Sequence, residues 1–233
     1  MSELLPRQRV SKRSLLVSPV LFLLCVMLFP SAAQSDDGVR IGPLRALPLS
    51  QVSSILPPNT VLLIERAQIE TFLASIEGTP PDWATVYGRG HHDPDHDERL
   101  FTLNRERDAA REGKPALEQL VTFVWTGELS RTDAESEVYA VFLGPELNAT
   151  SWGIVRFKPE DVPSNLRAVP DPSLAREINK RLIHHHSVDV FVVMTGMLIS
   201  SESIIYDFSH DEEGVGMIMP VVRLQQVDVL LPQ

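Results

Sequence analysis

The stretch Gly90-His-His-Asp-Pro-Asp-His-Asp-Glu98 gathers three of the chain's seven histidines and four carboxylates into nine residues. Imidazole and carboxylate without thiolate suit a divalent transition metal such as zinc, copper(II), nickel or manganese, and the candidate ligands are His91, His92, Asp95 and His96. Calcium fits poorly. Asp93, Asp95 and Asp97 imitate the opening of an EF-hand loop, but Glu98 stands where glycine is required and Asn104 where the bidentate glutamate belongs. The same residues also read as the start of a helix. With Asp93 as N-cap and Pro94 in the first helical position, Asp95, Asp97 and Glu98 fall in the first turn, where a carboxylate stabilises by about 0.3 to 1 kcal/mol. His184, His185 and His186 likewise sit where a helix C-terminus favours donor side chains. Two readings of the histidines follow, one with no cofactor and one with a divalent transition metal.

Other catalytic patterns are missing. The chain contains no G-x-S-x-G, no G-x-x-x-x-G-K, no dinucleotide-binding glycine pattern and no HExxH helix. Its one cysteine, Cys25, lies in an N-terminal apolar run. A carboxylate pair such as Glu128 with Asp189 has no spacing that argues for acid–base work and reads as ordinary surface charge. These absences favour a non-enzymatic binding or accessory protein, with a metal-binding protein or metal-dependent enzyme as the alternative.

The N-terminus has the order of a secretory signal peptide. Arg7, Arg9, Lys12 and Arg13 precede the apolar run Leu15 to Phe29, and small residues Ser31 and Ala33 set up cleavage before Gln34. That order predicts a periplasmic or secreted protein with a signal peptide over 1–33 and no stable membrane insertion after cleavage. Removing that segment also removes the only cysteine, so the exported chain must rely on a hydrophobic core instead of disulfides. It further takes the net charge from −10 to −13, because the segment carries four basic residues and one acid. A chain this acidic, with no basic run beyond residue 33, is a poor partner for nucleic acid. A small molecule, a saccharide or a protein remains.

Residues 34–116 read as an irregular lead followed by helices. Ile69, Phe72, Leu73 and Ile76 recur at helical spacing, Gly78 sits where a C-terminal cap belongs, and Asp82 precedes a short helical piece. A second helix runs from the histidine cluster to Gly113. Beyond Pro115 the period changes from helix to strand. In "VTFVWTGEL" alternate residues Val121, Phe123, Trp125 and Leu129 share one face. "EVYAVFL" (137–143) and "WGIVRFK" (152–158) read as the next two strands of an antiparallel meander. A helix capped by Asp171 follows, with Pro172 in its first turn, and strands return over 188–200, 203–208 and 216–231.

Three meander strands, one helix and then further strands, with the echo of "WTGEL" at 125–129 in "MTGML" at 194–198, resemble an OB-fold over residues 117–233. The resemblance implies an α+β chain: a small antiparallel β-barrel of five to six strands behind a short helical region. It also implies a ligand surface on the second and third strands that would involve Tyr139, Trp152 and Arg156. An aromatic ring beside an arginine can stack on a sugar or peptide.

Overall fold

A computed structural model of the protein describes residues 38–90, 92–132, 137–199, 203–209 and 214–233. The expected signal segment, His91, the loop residues 133–136 and His210 lie outside these. Gly38–Gln233 form one compact unit.

The sheet is built on three long strands whose alternation is visible in the sequence. They are β4 (Leu120–Arg131), β10 (Val188–Leu198) and β12 (Gly216–Leu231), with β10 antiparallel to both neighbours. Short strands fill the rest of the chain: β1 (Arg40–Ile41), β2 (Arg45–Ala46) and β3 (Val61–Leu62) before β4, and after it β5 (Tyr139–Leu143), β6 (Asn148–Thr150) and β7 (Gly153–Val155). β8 (Lys158–Glu160), β9 (Arg167–Ala168) and β11 (Ile204–Phe208) complete the set. The path across the sheet is β6-β7-β12-β10-β4-β5-β9, with β1, β2, β8 and β11 also on β12 and β3 on β4.

This architecture corrects the expected small barrel. The chain forms a mixed sheet of twelve strands that does not close, and the OB-like reading falls with it. The reason lies in the reach of β12. Its first five residues pair with β11 and β7, and its remainder pairs with β10, β8, β1 and β2, four of these partners running parallel to it. "WGIVRFK" is therefore not the third strand of a meander. It breaks into β7 and the start of β8, both of which join β12, and β5 takes β9 as its outer neighbour. The expected boundary at 116/117 is crossed by the pairs β1–β12, β2–β12 and β3–β4.

The two glycines of the sequence echo are explained by close approach. A Cβ on Gly196 would lie 2.1 Å from the carbonyl oxygen of Arg223, at the bulge where the β10–β12 register shifts. On Gly127 it would lie 2.9 Å from that of Phe142.

Among the described residues four α-helices join the sheet: α1 (Arg66–Glu77), α2 (Trp83–Tyr87), α3 (His96–Arg111) and α4 (Pro172–Leu182). α1 has the sequence pattern expected of it. Ile69, Phe72, Leu73 and Ile76 are buried against the face of the sheet that carries Val121, Phe123, Val192 and Met194. Asp171 caps α4 as predicted, accepting from the N–H groups of Ser173 and Leu174. No helix among the described residues is long and apolar enough to cross a membrane.

α3 does an unusual job, because it covers the outer edge of β11 with side chains. Asn104 Nδ2 donates to the Tyr206 carbonyl at 2.9 Å, the Tyr206 N–H donates back to Asn104 Oδ1 at 2.9 Å, and Arg111 donates to the Ile204 carbonyl at 2.9 Å. The buried Glu77 carboxylate at the end of α1 holds Arg111 and Arg107 in place, with Arg107 at 3.1 Å. Burial, and after it the Glu77 charge, push the Tyr206 phenol well above its ordinary range.

The opposite face of the sheet is covered by the lead. After β2 it forms a 3-10 turn, Leu49–Ile55, and Leu47, Leu49, Val52, Ile55 and Leu56 pack on Val124, Phe191, Val193 and Leu230. This strap covers only part of that face, and where it stops defines the candidate site.

Candidate functional site

β4 and β10 are in register so that Asp189 lies directly opposite Glu128, and β5 places Phe142 opposite Glu128 on the other side. Cross-strand partners point to the same face, so one row of the open end reads Phe142, Glu128, Asp189. All three are exposed, Phe142 by 62%. The next row brings Thr126 opposite Phe191, and Thr126 Oγ1 donates to Glu146 at 3.4 Å. Phe142, Glu128, Asp189, Thr126 and Phe191, together with Leu143, Gly144 and Pro232, line an open groove of ≈ 640 Å³.

Two like charges opposite each other on a sheet are destabilising by a few tenths to about 1 kcal/mol. Neither carboxylate has an ion pair among the described residues. The groove therefore offers two paired acids and an aromatic ring. That combination fits a cationic group, since carboxylates neutralise it and a phenyl face attracts it.

The Glu128–Asp189 pair, which sequence spacing alone left as ordinary surface charge, is brought together by the register, whereas the residues singled out from the sequence as metal or ligand sites lie elsewhere. His92 is exposed. His96 is the first residue of α3; its Nδ1 lies 2.8 Å from the Asp93 carbonyl oxygen, and its ring centroid is 4.9 Å from that of Phe208. Asp95 is the N-cap of α3 and makes no side-chain cap bond, so the helix starts two residues later than the expected Asp93 cap. Asp93 instead organises the turn before it. Its carboxylate accepts from the N–H groups of Arg89 and Asp95, both at 3.1 Å, and pairs with Arg99 at 3.0 Å. The Arg89 N–H first, then that of Asp95 and the Arg99 guanidinium, hold its pKa down at about 2. No three His, Cys, Asp or Glu residues among those described are grouped to hold a metal ion.

Tyr139 and Trp152 are core residues, so neither presents a ring to a ligand. Tyr139 is fully buried, and its hydroxyl donates to Asn179 Oδ1 of α4 at 2.9 Å. Trp152 sits in the turn between β6 and β7, with its carbonyl accepting from Trp83 Nε1. Arg156 is exposed between β7 and β8. The structure does not gather these three into one surface. The residues that do meet, Glu128, Asp189 and Phe142, left one trace in the sequence: in "YAVFL" the inward residues are Tyr139 and Val141, and Phe142 is an aromatic on the polar side.

No protein-family model matches the chain, no curated protein matches its sequence and no solved structure matches its fold.

Proposed function

We propose that this protein is an exported binding or accessory module, and that its open groove takes an organic cation, an amine or a guanidinium. The export half rests on the basic, apolar and small-residue order of residues 1–33. The binding half is carried by one observation, the cross-strand Glu128–Asp189 pair with Phe142 in the same row. A fold that holds two carboxylates face to face keeps a cost that a bound cation removes. The aromatic wall favours an organic cation over a bare metal, which gains nothing from a phenyl ring matched to a weakly hydrated charge.

Agmatine, which carries both an amine and a guanidinium, is a suitable probe. Titrated into the isotope-labelled protein, it is expected to shift the resonances of Phe142 and its neighbours saturably. The double substitution Glu128→Gln with Asp189→Asn should weaken that binding at least about tenfold, as loss of charge-assisted contacts implies. Saturable binding that survives the double substitution, or no binding at all, would overturn the reading. Zinc or nickel added to the same protein tests His91, His92, Asp95 and His96 separately, through shifts confined to the start of α3.

A further inference from the structure

The fold treats its sheet edges unequally. The outer edge of β11 is covered by side chains of α3, whereas β9, at the end of the path across the sheet, has β5 as its one strand neighbour. The Val141 N–H donates to the Leu166 carbonyl, so the alternation of that ladder turns the N–H and C=O of Arg167 away from β5. On the lead, the Gly42 N–H donates to the Val227 carbonyl. In a parallel ladder this gives the bonds to the residues flanking Ile41 and turns the N–H and C=O of Ile41 itself away from β12. Among the described residues neither pair of outward groups has a partner, and one backbone bond joins the two segments, from the Leu44 N–H to the Val169 carbonyl at a long 3.4 Å. Beside that bond lies an open groove of ≈ 590 Å³ lined from both segments, Ile41 and Pro43 on one side and Pro163, Leu166, Arg167 and Val169 on the other.

The walls say what could lie there. Val169 at 55% and Ile41 at 38% are among the large apolar side chains left exposed. Arg167 is the one charged residue of the described lining; it is exposed, and its guanidinium has no ion pair among the described residues. Arg167 and Val169 stand two residues apart and so share a face of their strand. We propose that this groove binds an extended peptide segment by strand addition along Arg167, and that the segment carries a carboxylate and a branched aliphatic side chain two residues apart. Such a segment supplies the backbone partners that no strand of this chain supplies to Arg167. Cross-strand neighbours share a face, so its carboxylate meets the Arg167 guanidinium where its aliphatic side chain meets Val169. Main-chain bonds give a complex of this kind its affinity, and the alternate side chains give it its selectivity. The site does not depend on the cation reading of Glu128 and Asp189.

The probe is a capped pentapeptide, valine-threonine-aspartate-threonine-valine, which places an aliphatic side chain two residues from the acid in either strand direction. Titrated into the isotope-labelled protein, it is expected to shift the Ile41, Arg167 and Val169 amides saturably and to slow hydrogen exchange at Arg167. Lysine in place of the aspartate should weaken binding at least about tenfold, and N-methylation along the peptide backbone should abolish it. Arg167→Glu, at an exposed position, should reverse the preference between the two peptides. No saturable shift up to about 5 mM of the aspartate peptide overturns the proposal. So does equal binding of the methylated peptide, which would leave an apolar groove without strand addition. An Arg167→Glu chain that still prefers aspartate, or shifts that fall at Phe142 and not at Arg167, overturns it as well. The double substitution Glu128→Gln with Asp189→Asn is expected to leave the shifts at Arg167 in place, so the failure of agmatine binding and the failure of peptide binding are separate results.

Discussion

Two polar rows cross the same face of the same sheet, and they meet opposite fates. The first runs through Thr122, Thr195 and Gln226, register partners on β4, β10 and β12, and continues to Arg40 on β1. Thr122, Thr195 and Gln226 are buried, and the row is satisfied from within. The two threonine hydroxyls lie 2.6 Å apart, Gln226 accepts from Arg40 and donates to the buried Asp228, and Asp228 also pairs with Arg45 at 3.0 Å. The second row, Phe142, Glu128 and Asp189, lies beyond the end of the strap, and its two charged members share a sign. A buried polar row must be closed by its own partners because water is not there to help. An exposed one can stay open, and an open row of like charges is where an external partner has something to offer.

The largest test of that contrast removes Asp228. Asp228→Ala leaves Gln226 Nε2 and the Arg45 guanidinium without their acceptor, at about 1 to 3 kcal/mol for a buried donor left unmade. Arg45 is partly exposed and recovers water, so a loss of about 2 kcal/mol by chemical denaturation is expected, together with loosening of β1 and β2. An unchanged protein would mean the strap is held by its apolar residues alone.

The threonine pair gives a sharper version. Thr122→Val or Thr195→Val alone strands one buried hydroxyl and should cost about 1 to 2 kcal/mol, while the double substitution should recover most of the loss, since replacing both partners with apolar groups is nearly neutral. Additive losses would show that the 2.6 Å contact is not a coupled pair.

The open row should respond with the opposite sign. Glu128→Gln is expected to stabilise the protein by about 0.2 to 1 kcal/mol by removing like-charge repulsion, and Asp189→Asn added to it should give little more. A destabilising Glu128→Gln would reveal an internal cation and erase the difference between the two rows.

Asp93 supplies the smallest effect and a control, being a carboxylate outside the core that does have partners. Its folded pKa, about 2, lies below the ordinary unfolded value of about 3.9. Its contribution is therefore complete above pH 4 and lost as pH falls from there toward 2. Wild type and Asp93→Asn should differ in melting temperature at neutral pH and converge across that window; a constant offset would mean that the turn does not depend on the charge.

Much of the local structure was legible in the sequence, and most of the pairing was not. α1 and α4 follow from spacing and from Gly78 and Asp171, and β4, β10, β11 and β12 follow from alternation and bounding turns. Alternation states which face a residue takes but not which strand lies beside it. Hence β5 was expected against "WGIVRFK" and is paired with β9, and the two-residue strands β1, β2 and β3 are too short to carry any period. The meeting of Glu128 with Asp189 depends on a register between strands separated by β5 to β9 and α4, which no local pattern sets. The histidine cluster was conspicuous because its residues are adjacent in sequence. Adjacency along the chain is a weak guide to adjacency in a sheet, and the acids that meet across the groove are the ones with no local signal.

The clasp between α3 and β11 separates two motions that hydrogen exchange would otherwise blur. The Tyr206 amide proton is held by Asn104, whereas its strand neighbours Ile205 and Asp207 turn theirs toward β12. Exchange at Tyr206 therefore times the departure of the helix, and exchange at the flanking amides times the opening of the sheet. If α3 leaves first, one residue in the middle of a strand exchanges fast between two slow ones, and the gap between those rates measures how much of the molecule's cohesion the helix carries.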